Sequence, residues 1–189
     1  MPRSMSPEHR RELLRLAHAA VEAAVRGDAP PAWRRDDASL TAPGAAFVTL
    51  RERASGELRG CRGEVMAVRP LAESVIEGAV AAALDDPRFP PVREEEIPSL
   101  VFELSVLTPM RAVRPDEVEV PRHGVMISHR GRRGLLLPQV APEQGWGRDE
   151  LLAGVCRKAG LPSTAWRDAG ALLEVFEAEV WGDADTAVP

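Results

Sequence analysis

The chain has 189 residues, 44% of them hydrophobic, with 15 glycines and 17 prolines, a composition that supports one packed domain. Its 24 basic and 29 acidic residues leave a net charge of -5, which excludes general attraction to phosphate backbones and leaves nucleic-acid binding to local patches. Two cysteines, Cys61 and Cys156, are too few for a secreted disulfide scaffold, and neither stands in a CxxC or other zinc-ligand spacing. The first six residues lack the apolar core of a signal peptide, and no stretch approaches the roughly 20 apolar residues a bilayer requires. The expectation is a cytoplasmic protein with no membrane span.

In chain order, Ser6-Pro7-Glu8 reads as a helix start, and Leu13, Leu14, Ala17, Ala20, Val21 and Ala24 recur at helical spacing up to Gly27. This predicts one amphipathic helix over about residues 7–26. A Pro-, Asp- and Arg-rich loop follows to Pro43. Phe47–Glu52 and Leu58–Val65 then read as the strands of a hairpin turning at Ala54-Ser55-Gly56-Glu57. Pro70 opens a second helix with Leu71, Val75, Ala79, Val80 and Ala83 on its apolar face, and Asp85-Asp86-Pro87 stops it. Beyond the proline-stiffened Arg88-Phe89-Pro90-Pro91, the strand Leu100–Leu107 alternates Phe102, Leu104 and Val106 with Glu103 and Ser105.

The same order then returns: strand Gly124–Ser128, turn His129–Arg132, strand Arg133–Leu137, helix Arg148–Ala159, strand Leu172–Trp181. Arg59-Gly60 and Arg133-Gly134 fall at the same offset as Val101-Phe102-Glu103 and Val175-Phe176-Glu177. This predicts an α+β fold of two duplicated hairpin-helix-strand repeats, about residues 45–108 and 122–181, sharing one largely antiparallel sheet. The expected domain runs over residues 1–181, and the acidic stretch 182–189 is expected to be a disordered tail.

Read together, Phe47-Val48-Thr49-Leu50, Leu58-Arg59-Gly60-Cys61, Asp86-Pro87-Arg88-Phe89-Pro90-Pro91, Ser105-Val106-Leu107, His123-Gly124 and Gly134-Leu135-Leu136-Leu137-Pro138-Gln139-Val140 resemble the AMMECR family. The resemblance runs from about Leu13 to Trp181. Prokaryotic members are known as protein A of the AmmeMemoRadiSam system, and the family hallmark is a Leu-Arg-Gly-Cys-Ile-Gly hexapeptide. It implies two β-and-α repeats around one barrel-like sheet, and no settled reaction. It also implies association with a Memo-like protein, similar in fold to non-haem dioxygenases, and with a radical S-adenosylmethionine enzyme. Here Arg62 replaces the usual isoleucine, which puts a cation beside the cysteine.

The hexapeptide is accordingly the leading site candidate. Gly60 and Gly63 flank Cys61 with residues lacking a Cβ, which permits a bulge or close approach. Arg59 and Arg62 would favour the reactive thiolate, but strand alternation puts Arg59 on the face of Cys61 and Arg62 on the other, so Arg59 is the better neighbour. The competing role for Cys61 is that of a small apolar core residue. Its counterpart in the second repeat is Leu135, which marks the thiol as particular to the first.

Further catalytic candidates are Glu103, as an ion-pair partner of Arg59, and His123, as an acid or base toward Cys61 should the fold bring the repeats together. Glu177 and Arg133 would pair in the same way in the second repeat. Binding candidates are Gly60, Arg62, Gly63, Arg88, Ser105 and Gln139. Cys156 sits on a helix face with Leu151, Leu152 and Val155, where packing is its expected role. His123 and His129 stand too far apart along a strand to share a metal, by roughly 20 Å. No metal site is expected, and no dinucleotide fingerprint, phosphate loop or iron-sulfur cysteine cluster implies a cofactor.

Three functions follow. The first is an accessory or binding subunit acting with the Memo-like and radical enzymes, with a cleft around Cys61 for a small ligand or partner. The second is a small enzyme with Cys61 as nucleophile. The third is nucleic-acid association through the basic turn Arg130–Arg133, which the net charge disfavours.

Overall fold

The computed structural model describes residues 5–34 and 36–186. The elements are helices α1 (Pro7–Arg26) and α2 (Ala38–Thr41), strands β1 (Ala45–Glu52) and β2 (Leu58–Gly63), helix α3 (Leu71–Leu84), and strands β3 (Leu100–Leu107) and β4 (Arg111–Val113). They continue with strands β5 (Gly124–His129) and β6 (Arg132–Leu136), helices α4 (Val140–Gln144) and α5 (Arg148–Lys158), strands β7 (Leu172–Phe176) and β8 (Ala178–Gly182), and helix α6 (Asp183–Thr186). They form two compact units. One comprises the chain up to Leu107 and again from Glu179, the other Thr108–Ala178.

The first unit is built on the sheet β2-β1-β3-β8. Ser6 caps α1 by accepting a hydrogen bond from the His9 amide, Pro7 occupies its first turn, and Gly27 ends it in the left-handed conformation. Its buried stripe of Leu13, Leu14, Ala17, Ala20 and Val21 joins Val48, Leu50, Phe102 and Leu104 of the sheet and Val75, Ala79, Ala82 and Ala83 of α3 in one core. Each fully buried leucine or valine there contributes about 1.5–3 kcal/mol. α3 approaches β2 so closely that a Cβ on Gly60 would lie 2.1 Å from the Ala82 carbonyl oxygen. The Arg-Gly step in the hexapeptide is therefore first a packing requirement.

In the second unit, sheet β4-β7-β5-β6 carries α5 on one face. Val125, Ile127, Leu151, Leu152, Val155, Cys156, Leu173 and Val175 form its core. Gly134 repeats the role of Gly60, because a Cβ there would lie 2.6 Å from the Ala159 amide nitrogen and 2.7 Å from the Val155 carbonyl.

The structure departs from expectation in three places. The sheet is not one barrel: there are two antiparallel four-stranded sheets, each with free edge strands, and no closed barrel among the described residues. The cause is a break in the expected strand Leu172–Trp181 at Glu177. Its amide donates to Thr108 Oγ1 while its carbonyl accepts from the Thr108 amide, so β7 and β8 join different sheets. Second, the constant offset between the repeats does not survive the strand register. With Gly60 and Gly134 as corresponding points, Leu50 and Phe102 align with Ile127 and Leu173, which matches Glu103 to Glu174 rather than Glu177. Third, within the stretch expected to be a tail, Gly182 ends β8 and Asp183–Thr186 form a helical turn. Asp183 accepts from the Phe102 amide at 2.9 Å and bonds His18 at 2.8 Å. Residues 187–189 lie outside the described residues.

No helix among the described residues is long and apolar enough to cross a membrane. Replacing Gly60 or Gly134 by alanine forces backbone apart in either unit. Each substitution is expected to cost about 1–3 kcal/mol or more, read as a lower midpoint in urea unfolding, whereas Gly56→Ala meets no neighbouring atom and costs only the roughly 1 kcal/mol strain of its left-handed φ of 73°.

Candidate functional site

Cross-strand register sets the geometry around Cys61. Cys61 of β2 pairs with Thr49 of β1, and Thr49 pairs with Glu103 of β3, so three polar side chains stand in one row. The next row holds Gly63, Phe47 and Ser105. Both lie opposite the face covered by α3, since Val48, Leu50 and Gly60 occupy the alternate positions. Cys61 is half-buried and its sulfur accepts a hydrogen bond from Thr49 Oγ1 at 3.3 Å.

The loop following α3 completes the surroundings. Asp86, buried except for 4% of its surface, accepts from the Cys61 amide at 2.9 Å and from the Arg88 amide and guanidinium, the shortest contact being 2.7 Å. Its carboxyl is held well below the usual range, chiefly by the Arg88 hydrogen bonds and further by the Cys61 amide, against the opposing effect of burial. One carboxylate thus fixes a guanidinium relative to a thiol. Arg88 remains half exposed, lies 5.5 Å from the Phe89 ring, and has its own charge reinforced by Asp86 and by the proximity of Cys61.

Arg59 anchors the other end of this loop. It is the extra residue of a bulge, because Leu50 pairs with Gly60 and Arg51 with Leu58. Its nearly buried guanidinium donates to Glu96 at 2.9 Å and to the Pro90 carbonyl at 3.0 Å. Glu96 is lowered to about 2, first by the Arg59 hydrogen bond. Arg59 therefore does not pair with Glu103, which correctly belongs to the Thr49 row. Two strand spacings, roughly 10 Å, separate Glu103 from Cys61, beyond direct proton transfer. Among the described residues the Glu103 side chain makes no hydrogen bond or ion pair.

The remaining candidates divide between the units. Arg62 is exposed and sits on the α3 side of β2, as strand alternation predicts. His123 and Gln139 belong to the second unit. His123 is buried and accepts at Nδ1 from the Glu119 amide at 3.0 Å, and burial lowers its pKa. Gln139 is exposed, and its carbonyl accepts from the Glu143 amide. Glu177 pairs with Arg122 at 2.8 Å rather than with Arg133. In the basic turn, Arg130 faces Asp168 at 3.5 Å and Arg132 donates to the Gly160 carbonyl, so part of its charge is used locally. Cys156 is fully buried, and burial raises its pKa. Among the described residues no three His, Cys, Asp or Glu side chains are placed to hold a metal ion.

Sequence reasoning missed Asp86 and Thr49. Asp86 reads as a helix stop, and only the folded path of the loop carries it to the Cys61 amide. Thr49 is legible as a strand residue, but the bulge at Arg59 shifts the hairpin register by one residue, so only the folded structure pairs it with Cys61.

Two outcomes follow. In the native protein, Cys61 is expected to react with Ellman's reagent and Cys156 only on unfolding, so Cys61→Ser removes the fast phase of thiol release. Asp86→Asn loses the charge that holds Arg88 and the Cys61 amide, an expected cost of about 2 kcal/mol in unfolding measurements at neutral pH. Because the folded carboxyl has the lower pKa, that contribution is fully present above the ordinary carboxylate value of about 3.9 and is lost as pH falls below it. The wild-type and D86N stability curves should therefore converge in acid.

The AMMECR1 family model matches residues 14–181. A protein of Thermofilum pendens is 40% identical, with 94% of this chain and 91% of that protein covered. Protein MK0488 of Methanopyrus kandleri is 38% identical, with 94% and 89% covered. The crystal structure of uncharacterized protein PH0010 from Pyrococcus horikoshii superposes with a TM-score of 0.81 at 38% identity, over 94% of this chain and 93% of that one. The chain belongs to the AMMECR1 family.

Proposed function

We propose that this protein is an accessory binding subunit whose recognition element is the Arg88 guanidinium held beside the Cys61 thiol. The observation that carries the reading is the double use of Asp86, which bonds Arg88 and the Cys61 amide at once and so orders the site before any ligand arrives. Arg59 and the prolines at 87, 90 and 91 stiffen the same loop. A half-exposed guanidinium offers its free edge to a carboxylate or phosphate of a partner. The family resemblance supplies the partners: a Memo-like protein and a radical S-adenosylmethionine enzyme, in a cytoplasmic setting. Cofactor chemistry in such an assembly belongs to those partners.

A second reading, a cysteine-dependent enzyme, is favoured by the Thr49 hydrogen bond to the sulfur. Against it, Asp86 balances Arg88 at 2.7 Å, so the field at the thiol is that of an ion pair rather than a lone cation. Glu103 also stands a strand too far for proton transfer. We also infer a duplication behind the two units. It is supported by the matching orders β2-β1-β3 and β6-β5-β7 and by the shared glycine under a helix, while the row Cys61-Thr49-Glu103 corresponds to Leu135-Met126-Glu174. The thiol and hydroxyl then belong to the first unit alone, as a specialised site requires.

Light scattering of this protein mixed with a purified Memo-like protein and with a radical S-adenosylmethionine enzyme from the same genome tests the proposal. A complex at micromolar concentration that Arg88→Ala weakens about tenfold, with Cys61→Ala milder, is expected. No complex with either partner overturns the accessory reading. Covalent turnover of an electrophilic substrate abolished by C61A would install the second reading in its place.

A further inference from the structure

The first unit holds a cavity of about 250 Å³ between β2 and α3, on the side of β2 opposite Cys61. We propose that it binds a small zwitterion of the α-amino acid class, its carboxylate on Arg62 and its ammonium group on Glu77. This site is independent of the Cys61 reading, because strand alternation directs Arg62 and Cys61 to opposite faces.

Ser74, Glu77, Gly78 and Ala81 fall at helical spacing on one face of α3 and form one wall of the cavity, with Arg62 across from them on β2. Deeper in, Arg69 pairs with Glu64 at 3.0 Å, and Glu64 in turn lies 2.7 Å from the Oγ of the buried Ser74. Arg69 and Glu64 offset each other's charge, and the Ser74 hydroxyl lies equally close, at 2.7 Å, to the Gly44 carbonyl. The other two charges are left over. Among the described residues the Arg62 side chain makes no hydrogen bond or ion pair, and Glu77, largely exposed, reaches Arg69 only at 4.0 Å.

A planar guanidinium without a partner at the mouth of a polar cavity matches a carboxylate, which it grips through two parallel N–H bonds. A purely anionic ligand would satisfy Arg62 but bring its charge toward Glu64 and Glu77. A purely cationic one would leave Arg62 unmatched. A ligand carrying both signs a few ångströms apart satisfies both walls, and the free α-amino acids have that form. Size agrees, since an accessible volume of about 250 Å³ admits an amino acid with a short side chain. Ala81 and Gly78 leave that space open, where larger side chains would fill it.

The test is a thermal-shift screen of the full chain against the twenty L-amino acids at about 10 mM, followed by calorimetry of any that bind. Acetate, methylammonium and inorganic phosphate serve as single-charge probes. The expected result is saturable binding of one or more small amino acids and none of acetate or methylammonium. Arg62→Gln and Glu77→Gln should each weaken it at least about tenfold, and Ala81→Leu should abolish it by occupancy. Both charged side chains are exposed, so circular dichroism and melting temperature should match wild type and certify the fold. No amino acid binding overturns the proposal. Binding of phosphate that E77Q leaves unchanged overturns it too, in favour of a simple anion site.

Discussion

The approach of α3 to β2 at Gly60 governs the first unit. With no Cβ in the way, the Ala82 carbonyl settles against the strand, and the small residues of α3 seat on Val48 and Leu50. The helix then ends at Leu84, and two residues later Asp86 lies where it can accept the Cys61 amide hydrogen bond. The position of Arg88 follows from Asp86. The cavity lined by Arg62 follows from the same helix–strand spacing. One missing methyl group thus connects the core, the loop and both faces of the hexapeptide.

Around Cys61 two carboxylate–arginine pairs hold the loop in place. Asp86 and Glu96 are each drawn to low pKa by an arginine they bond, Arg88 and Arg59 respectively, and each pair ties one end of the proline-rich loop. Buried and half-buried ion pairs of this kind repay their desolvation only when hydrogen bonds fill the remaining valences, and here the Cys61 and Arg93 amides and the Pro90 carbonyl do so. A loop held this way presents its arginine in a fixed pose, which suits recognition.

Arg59 illustrates how a bulge reassigns a residue. Simple alternation makes it the neighbour of the thiol, but the extra residue at Leu50/Arg51 removes it from the ladder and frees its side chain to reach Glu96. The arginine near the sulfur comes instead from sequence 27 positions further on, as Arg88. The hexapeptide is therefore a structural node whose two arginines serve separate ends, Arg59 in anchoring and Arg62 at the cavity.

The sequence by itself determined the elements: both long helices, the two hairpins, the alternation of β3 and the hexapeptide as the place to look. Periodicity and capping are local properties, and Ser6, Pro7, Gly27 and Pro70 state them openly. Family membership was equally legible, because it rests on short runs of identical residues. Tertiary structure decided what depends on distant parts of the chain meeting. The division into two sheets turned on one crossing at Glu177 and Thr108, residues 69 positions apart. Glu103 and Arg59 found different partners because register and a bulge set their positions, and neither is visible in the pattern of apolar residues. Asp86 reached Cys61 only through the path of a loop, since a hydrogen bond between a carboxylate and an amide 25 residues away leaves no periodic signal for the sequence to carry.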